Sequence, residues 1–420
     1  MITMMRFKDN SDIEEILPSW ASNLANVELS KLSDDILIFP PISRESTDLS
    51  DDQLIFEFKN NKYRTTNIMG WLGKGNEQIT IHSRFDDGQN DFFLRYMLEK
   101  VFDANIVNFD LSKGRENIFD LLPFLLPTYL ENALKKGIYK TYVKKQYNDS
   151  QVRGPINIGQ YIKKNTPFIG KISYDIREFT SDNNIMQLIR HTIEYVRLTK
   201  KSIKFPSNLI KKVEEVTQTY QLIDRNKILS SNLTIKNPYF CDYNPLIRLC
   251  QMILRHEKVS FGDDKQKIHG IIFDGAWLWE EYLARVIDMA LIHSENKTCK
   301  SPIKLFQTMT QGKNTSYYPD FYVRNSLVLD AKYKNVTSIK REDRFQIITY
   351  LHVLSAHTAG VIFPSRTATD WKEIGELSGF GGNIGKLSVS IPQKLEQYSL
   401  FKDKIHNEEI LLKECLSNLI

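Results

Sequence analysis

The stretch that constrains this chain most runs from Tyr317 to Tyr333: Tyr-Tyr-Pro-Asp-Phe-Tyr-Val-Arg-Asn-Ser-Leu-Val-Leu-Asp-Ala-Lys-Tyr. Two apolar runs flank a short polar break, the pattern of a β-hairpin. Alternate side chains of a strand share a face, so Asp330 and Lys332 point one way and Leu329, Ala331 and Tyr333 the other, toward a core. A charged pair on a hydrophobic strand is costly unless it has a partner or a task. Holding Mg2+ (or Mn2+) for phosphodiester hydrolysis is a task these residue types suit. Such a cation takes hard oxygen ligands, here Asp320, Asp330 and the carbonyl of Ala331, and keeps several waters. The two carboxylates would repel if packed together bare, and a cation relieves that repulsion. It also eases deprotonation of water and stabilises charge on the scissile phosphate. Lys332 is the group to orient or activate that water and to neutralise charge in the transition state.

The hairpin imposes a geometric condition. A two-residue turn at Asn325-Ser326 would set Asp320 opposite Ala331 and turn it away from Asp330. Shared metal binding therefore requires an odd-length loop, a bulge, or an Asp320 at the very start of its strand. On their own, two Asp and one Lys are a weak motif, because Asp-x-Lys is common by chance and a solvated strand end explains it equally well. Context strengthens the catalytic reading. A helix with the apolar stripe Trp279, Tyr282, Leu283, Val286, Ile287 and Ala290 precedes the hairpin, with Glu280 and Glu281 in its first turns. Glu281 reads as ordinary charge placement; Glu280 reads either as that or as a group aimed at the acidic cluster. Gln346 and Tyr350 follow, four apart on one helix face, and then the apolar strand 361–364. Helix, hairpin, helix and strand make a mixed α/β core with the acids at one sheet edge. His352 and His357 have no ligand-like spacing, while Lys340, Arg341, Arg344 and Arg366 are placed to meet phosphates.

A chain of 420 residues exceeds one compact core, so several domains are expected. The net charge of +5 permits nucleic-acid binding without predicting it. Four scattered cysteines (Cys241, Cys250, Cys299, Cys415) show no zinc spacing and read as free thiols. With no spanning apolar run and no signal-peptide core, the expectation is a cytoplasmic protein without membrane contact.

Residues 1–90 read as a β-rich N-terminal domain, resembling a partial barrel, with strands at 35–39, 53–58 and 77–82 and a turn-rich link at Gly70–Gly75. Residues 91–258 read as a mainly helical middle region. It contains helices from Asp91 and from near Asn117, the latter broken by Pro123 and Pro127 and ending at Gly137. Further helices are expected after the cap Thr180–Asn184, within Ser202–Thr234 and at Leu246–His256. A basic tract from Lys135 to Lys171, interleaved with tyrosines, is either a phosphate-tracking surface or a solvated helix face. The polar stretch Val259–Gln266 marks the start of the third region, 259–420.

Taken together, Pro319-Asp320 and Asp330-Ala331-Lys332 resemble the PD-(D/E)xK nuclease signature, and Gln346-x-x-x-Tyr350 resembles the motif that follows it in RecB-like nucleases. Over most of the chain the sequence resembles the McrC family, the nuclease subunit of modified-cytosine restriction systems. The stretches that carry this are 63–85 with Gly-Trp-Leu-Gly, Val152–Ile158, Arg177–Asn183, Asn237–Phe240 and Phe273–Tyr282. The resemblance implies an α+β multi-domain chain with a C-terminal PD-(D/E)xK endonuclease core acting through Asp320, Asp330 and Lys332. Gln346 and Tyr350 would help place the substrate or the metal shell. It also implies double-stranded, methylated DNA as substrate and an N-terminal part that docks on a hexameric AAA+ GTPase. The chain itself has no G-x-x-x-x-G-K-[ST] loop, so nucleotide chemistry would belong to that partner. The competing readings are a standalone RecB-like nuclease and a non-catalytic adaptor that stimulates a GTPase.

Overall fold

The computed structural model describes residues 3–32, 36–39, 53–75, 77–87, 90–102, 122–200, 203–229, 231, 233–259, 268–287, 291–293, 302–306, 316–379 and 381–420. Asp35, Asn117, Ala290, Cys299 and most of the expected boundary at 259–266 lie outside them. Two compact units result, one from residues 1–115 with 265–420, the other from 116–264.

The first unit begins with strands β1 (Thr3–Lys8), β2 (Asp12–Ile13), β3 (Ile36–Phe39), β4 (Phe56–Lys59), β5 (Lys62–Thr65), β6 (Ile68–Lys74) and β7 (Glu77–His82). Strands β2, β5 and β4 form a small antiparallel sheet. The expected turn-rich link at Gly70–Gly75 is instead the body of β6, buried through Leu72. Its glycines allow close packing rather than turning. Gly70 has φ +136°, and a Cβ there would sit 2.1 Å from the carbonyl oxygen of Ile271. The helix Phe92–Phe102 then buries Phe93, Tyr96, Met97 and Val101 along one stripe.

The second unit is helical with one exception. Leu122–Lys135 runs unbroken through Pro123 and Pro127, contrary to the expected breaks, and Gly137 terminates it in the left-handed region at φ 91°. Asn183 caps the helix Asn184–Thr199 by accepting hydrogen bonds from the amides of Ile185 and Met186. The expected helix within 202–234 is two helices, Ser207–Val216 and Arg225–Leu229. Tyr243–Pro245, expected as loop, opens the helix Tyr243–Val259, where Pro costs no hydrogen bond. The exception is a two-stranded antiparallel ladder of β8 (Thr141–Asp149) and β9 (Ile172–Thr180), which encloses the helix Ile158–Lys164. Of the two readings of the basic tract, the helix face gives way over most of its length to an extended strand and a short helix. Its lysines meet acids across the ladder, Lys144 with Asp175 at 2.7 Å and Lys145 with Glu178 at 3.1 Å.

The chain returns to the first unit with β10 (Ile268–Asp274). This strand, which the sequence division placed in the third region, sits inside the N-terminal sheet, antiparallel to β6 and parallel to β3. That sheet has the order β1-β7-β6-β10-β3. Ile272 of β10 joins a core with Ile68, Leu72, Ile79 and Ile81. Asp274 caps the helix Gly275–Val286 by accepting from Trp277 N at 2.7 Å. Glu280 and Glu281 therefore lie in the second turn of that helix.

The remaining strands are β11 (Ile292–His293), β12 (Ile303–Lys304), β13 (Ser316–Tyr317), β14 (Phe321–Val323), β15 (Leu327–Ala331), β16 (Thr358–Ser365), β17 (Asp370–Glu376) and β18 (Asn383–Ser390). All but β12 and β13 form a six-stranded mixed sheet, ordered β11-β14-β15-β16-β18-β17. The helix Arg341–Val353 links β15 to parallel β16, the crossover that parallel strands require. Its Ile347, Tyr350 and Leu351 pack on Val328, Ala359 and Val361. Leu327, Val328 and Leu329 are all fully buried, as expected for a strand covered on both faces.

Candidate active site

The hairpin meets its geometric condition. Phe321 pairs with Leu329, Tyr322 with Val328 and Val323 with Leu327, leaving a three-residue turn, Arg324–Ser326. Asn325 takes φ 60°, a conformation asparagine tolerates better than other side-chain-bearing residues. The odd loop continues the register so that position 320, just before β14, stands opposite position 330. Asp320 Oδ2 accepts from Ala331 N at 2.6 Å, fastening this carboxylate to the end of β15. That end is the carboxyl terminus of an interior strand, third of six, and not the sheet edge expected from the sequence.

Asp330 and Lys332 share the face covered by the helix Arg341–Val353. Asp330 is only 2% exposed, and its Oδ2 lies 2.6 Å from Lys332 Nζ. The direction of approach leaves Oδ2 without a donor in hydrogen-bond alignment. Burial raises the Asp330 pKa, against the pull of Lys332. Burial alone would lower the Lys332 pKa, but Asp330 and, more weakly, Asp320 and Asp343 hold it above the ordinary lysine value. Lys332 therefore stays an ammonium. Tyr350 is buried, which raises its pKa, and its hydroxyl is hydrogen-bonded with Gln346 while facing the charges of Asp320, Asp330 and Lys332. Gln346 is thus a partner of Tyr350 and not simply a solvent-facing neighbour.

Glu280 reaches the cluster through a residue not singled out in the sequence. His293 Nδ1 lies 3.0 Å from the carbonyl oxygen of Asp320 and 3.6 Å from Glu280 Oε1, with its ring stacked on Phe321. No pattern marks His293, which belongs to a two-residue strand. Asp343, which no motif marks, lies in the first turn of the helix that carries Gln346 and Tyr350. It accepts from Lys334 Nζ at 2.7 Å and lies 3.8 Å from Lys332 Nζ.

Among the described residues no three His, Cys, Asp or Glu side chains are gathered tightly enough to hold a metal by themselves. The donor set here is two aspartates and a backbone carbonyl. It suits a hard cation that keeps most of its waters, and Asp330 Oδ2 is buried with no aligned hydrogen-bond donor.

The profile of a family described as McrBC 5-methylcytosine restriction system component matches residues 63–364. The chain belongs to that family. Over the whole length of both chains it is similar, at 15% identity and a TM-score of 0.50, to a solved structure described as a half-complex from a tetradecameric assembly of Thermococcus gammatolerans McrB AAA+ hexamers with bound McrC. A second structure, of the Thermococcus gammatolerans McrBC complex, is similar at 15% identity and a TM-score of 0.29, covering 68% of this chain and 87% of that one. No curated protein matches. The chain is a component of a restriction system of the McrBC type, and among its described residues no helix is long and apolar enough to cross a membrane.

Proposed function

We propose that the chain is the Mg2+-dependent DNA endonuclease subunit of a modified-cytosine restriction system, built on a PD-(D/E)xK core and working with an AAA+ GTPase hexamer. The observation that carries this reading is the buried Asp330 carboxylate, held against the Lys332 ammonium with Asp320 fastened beside it. Keeping a charged pair there is unfavourable for folding alone, since well-packed apolar residues serve as well or better. Asp320, Asp330 and the Ala331 carbonyl are the groups to hold the cation. When bound, the cation supplies positive charge that eases deprotonation of an attacking water and offsets charge on the phosphate. Lys332, kept protonated by its neighbours, orients that water and neutralises transition-state charge; it is not a resting general base. Tyr350 retains its proton and serves with Gln346 as a donor to substrate.

Support for a protein partner comes from the second unit. Ile158, Ile162, Phe168, Ile169, Tyr142 and Phe179 are each roughly 60% exposed on or within the β8–β9 hairpin. Apolar exposure this dense marks a surface covered by another protein. The sequence assigns partner docking to residues 1–90; the exposed apolar surface of the hairpin is a second candidate for it. Incubation of modified and unmodified plasmid with Mg2+, with and without the GTPase and GTP, tests the reading. Cleavage of modified DNA by the complex supports it. Intact plasmid under every condition would refute it, and cleavage without the partner would favour a standalone nuclease.

A further inference from the structure

The catalytic strand is fastened on its opposite face to the N-terminal sheet. Ala331 is the last residue of β15, and beyond one further bond, Lys332 N to Ile362 O at 2.8 Å, the backbone leaves the sheet. A lysine side chain has many rotamers, so its ammonium is only as well placed as the backbone that carries it. The next fixed point is the side chain of Tyr333, which by strand parity points away from Lys332. It is buried, and its Oη lies 2.6 Å from Ser83 Oγ, at the end of β7. Phe85 meets the Tyr333 ring edge-on at 5.3 Å, and the Arg84 guanidinium lies 5.0 Å from its centroid.

Two further contacts show that the pocket is built around this ring. Arg84 is itself held by Asp9 and Asn67. At Gly275, the first residue of the helix that carries Glu280, a Cβ would stand 2.8 Å from Tyr333 Cε1. Gly275 N also donates to the Asn67 carbonyl at 2.8 Å. One tyrosine thus joins the N-terminal sheet, the Glu280 helix and the strand bearing Asp330 and Lys332.

We propose that Tyr333 and Ser83 are positioning residues for Lys332, so that DNA cleavage depends on an anchor in the N-terminal sheet. This rests on the nuclease reading above. Tyr333 touches no substrate. It acts by fixing where the backbone of residue 332 leaves the sheet.

The test uses the complex with the GTPase partner in Mg2+ and compares Tyr333→Phe, Ser83→Ala and the double variant. Each single change should slow single-turnover cleavage about 3- to 10-fold, the worth of one neutral hydrogen bond. The double variant should lose less than the product of the two single losses, because the Tyr333–Ser83 hydrogen bond is common to both. Tyr333 Oη also donates to Met69 Sδ at 3.3 Å, and Ser83 Oγ also accepts from Phe85 N at 3.1 Å. DNA affinity and stimulation of the partner's GTPase should stay at wild-type values, and the melting temperature should fall by no more than the few degrees that one buried hydrogen bond is worth, which a general loss of structure would not allow. Wild-type cleavage by Tyr333→Phe, or losses that multiply in the double variant, would overturn the proposal. Asp330→Ala run in parallel separates the two levels. If it is inactive while Tyr333→Phe cuts normally, only the anchor fails; if Asp330→Ala cuts, the nuclease reading fails and the anchor with it.

Discussion

Two hairpins in this protein carry the same kind of charged pair and do opposite things with it. In β14–β15, Lys332 meets Asp330 at 2.6 Å beneath a helix, with the carboxylate buried and its pKa raised by that burial. In β8–β9, Lys144 meets Asp175 at 2.7 Å with the lysine exposed and the aspartate half-buried, and the hydrogen bond from Lys144, followed by that from Asn157, lowers the Asp175 pKa. The distances are nearly equal, so solvent sets the difference. An exposed pair is screened and nearly neutral for stability. A buried pair loses its hydration and persists where something else repays it, here by the proposal a cation and a phosphate. The two hairpins also divide the labour proposed for the molecule, with buried charge for chemistry and exposed apolar surface for a partner.

That contrast can be broken in several ways. The largest expected effect is on cleavage. Lys332→Ala should reduce it about 100- to 1,000-fold in a plasmid assay with the GTPase partner, whereas Lys144→Ala should leave it unchanged. Next is stability. Leu329→Ala, in the buried hairpin, should cost about 2–5 kcal/mol in urea unfolding. Phe179→Ala, on the exposed hairpin, should cost about 0.5 kcal/mol or less. Third is assembly. Ile158→Asp with Phe168→Asp should weaken binding to the GTPase about 10-fold or more by calorimetry while leaving the melting temperature in place.

The smallest effect is a pH dependence. Asp175 has a lowered pKa, so its contribution is complete above the ordinary carboxylate value of 3.8 and is lost as pH falls through the depressed one. Lys144→Ala removes the main cause of that depression. The variant should melt slightly below wild type near neutrality and show a shallower fall in melting temperature below about pH 4, so that the two converge in acid.

The sequence made the local geometry of the candidate site more legible than the scaffold around it. Strand parity placed Asp330 and Lys332 on one face, and the requirement for an odd turn or an early Asp320 is met by Arg324–Ser326. Parity is local, so a single sequence can carry it. What escaped were features set by distant segments. The glycines of β6 read as turn residues because nothing nearby shows that β10, roughly two hundred residues later, lies against Gly70. The β8–β9 ladder was lost among lysines and tyrosines that suit a helix surface or an exposed strand equally well, since an open two-stranded ladder needs no apolar alternation. His293 had no motif to announce it, and Asp343 resembled an ordinary first-turn acid, favourable near any helix N-terminus.

The measurement that goes furthest is anomalous diffraction from crystals of the protein soaked in Mn2+. The expected result is an anomalous peak between the carboxylates of Asp320 and Asp330, near the Ala331 carbonyl and within reach of Lys332, that disappears in Asp330→Asn. Mn2+ that saturates the crystal elsewhere and leaves that position empty would contradict a shared cation at the head of β15, and with it the nuclease role proposed for this chain.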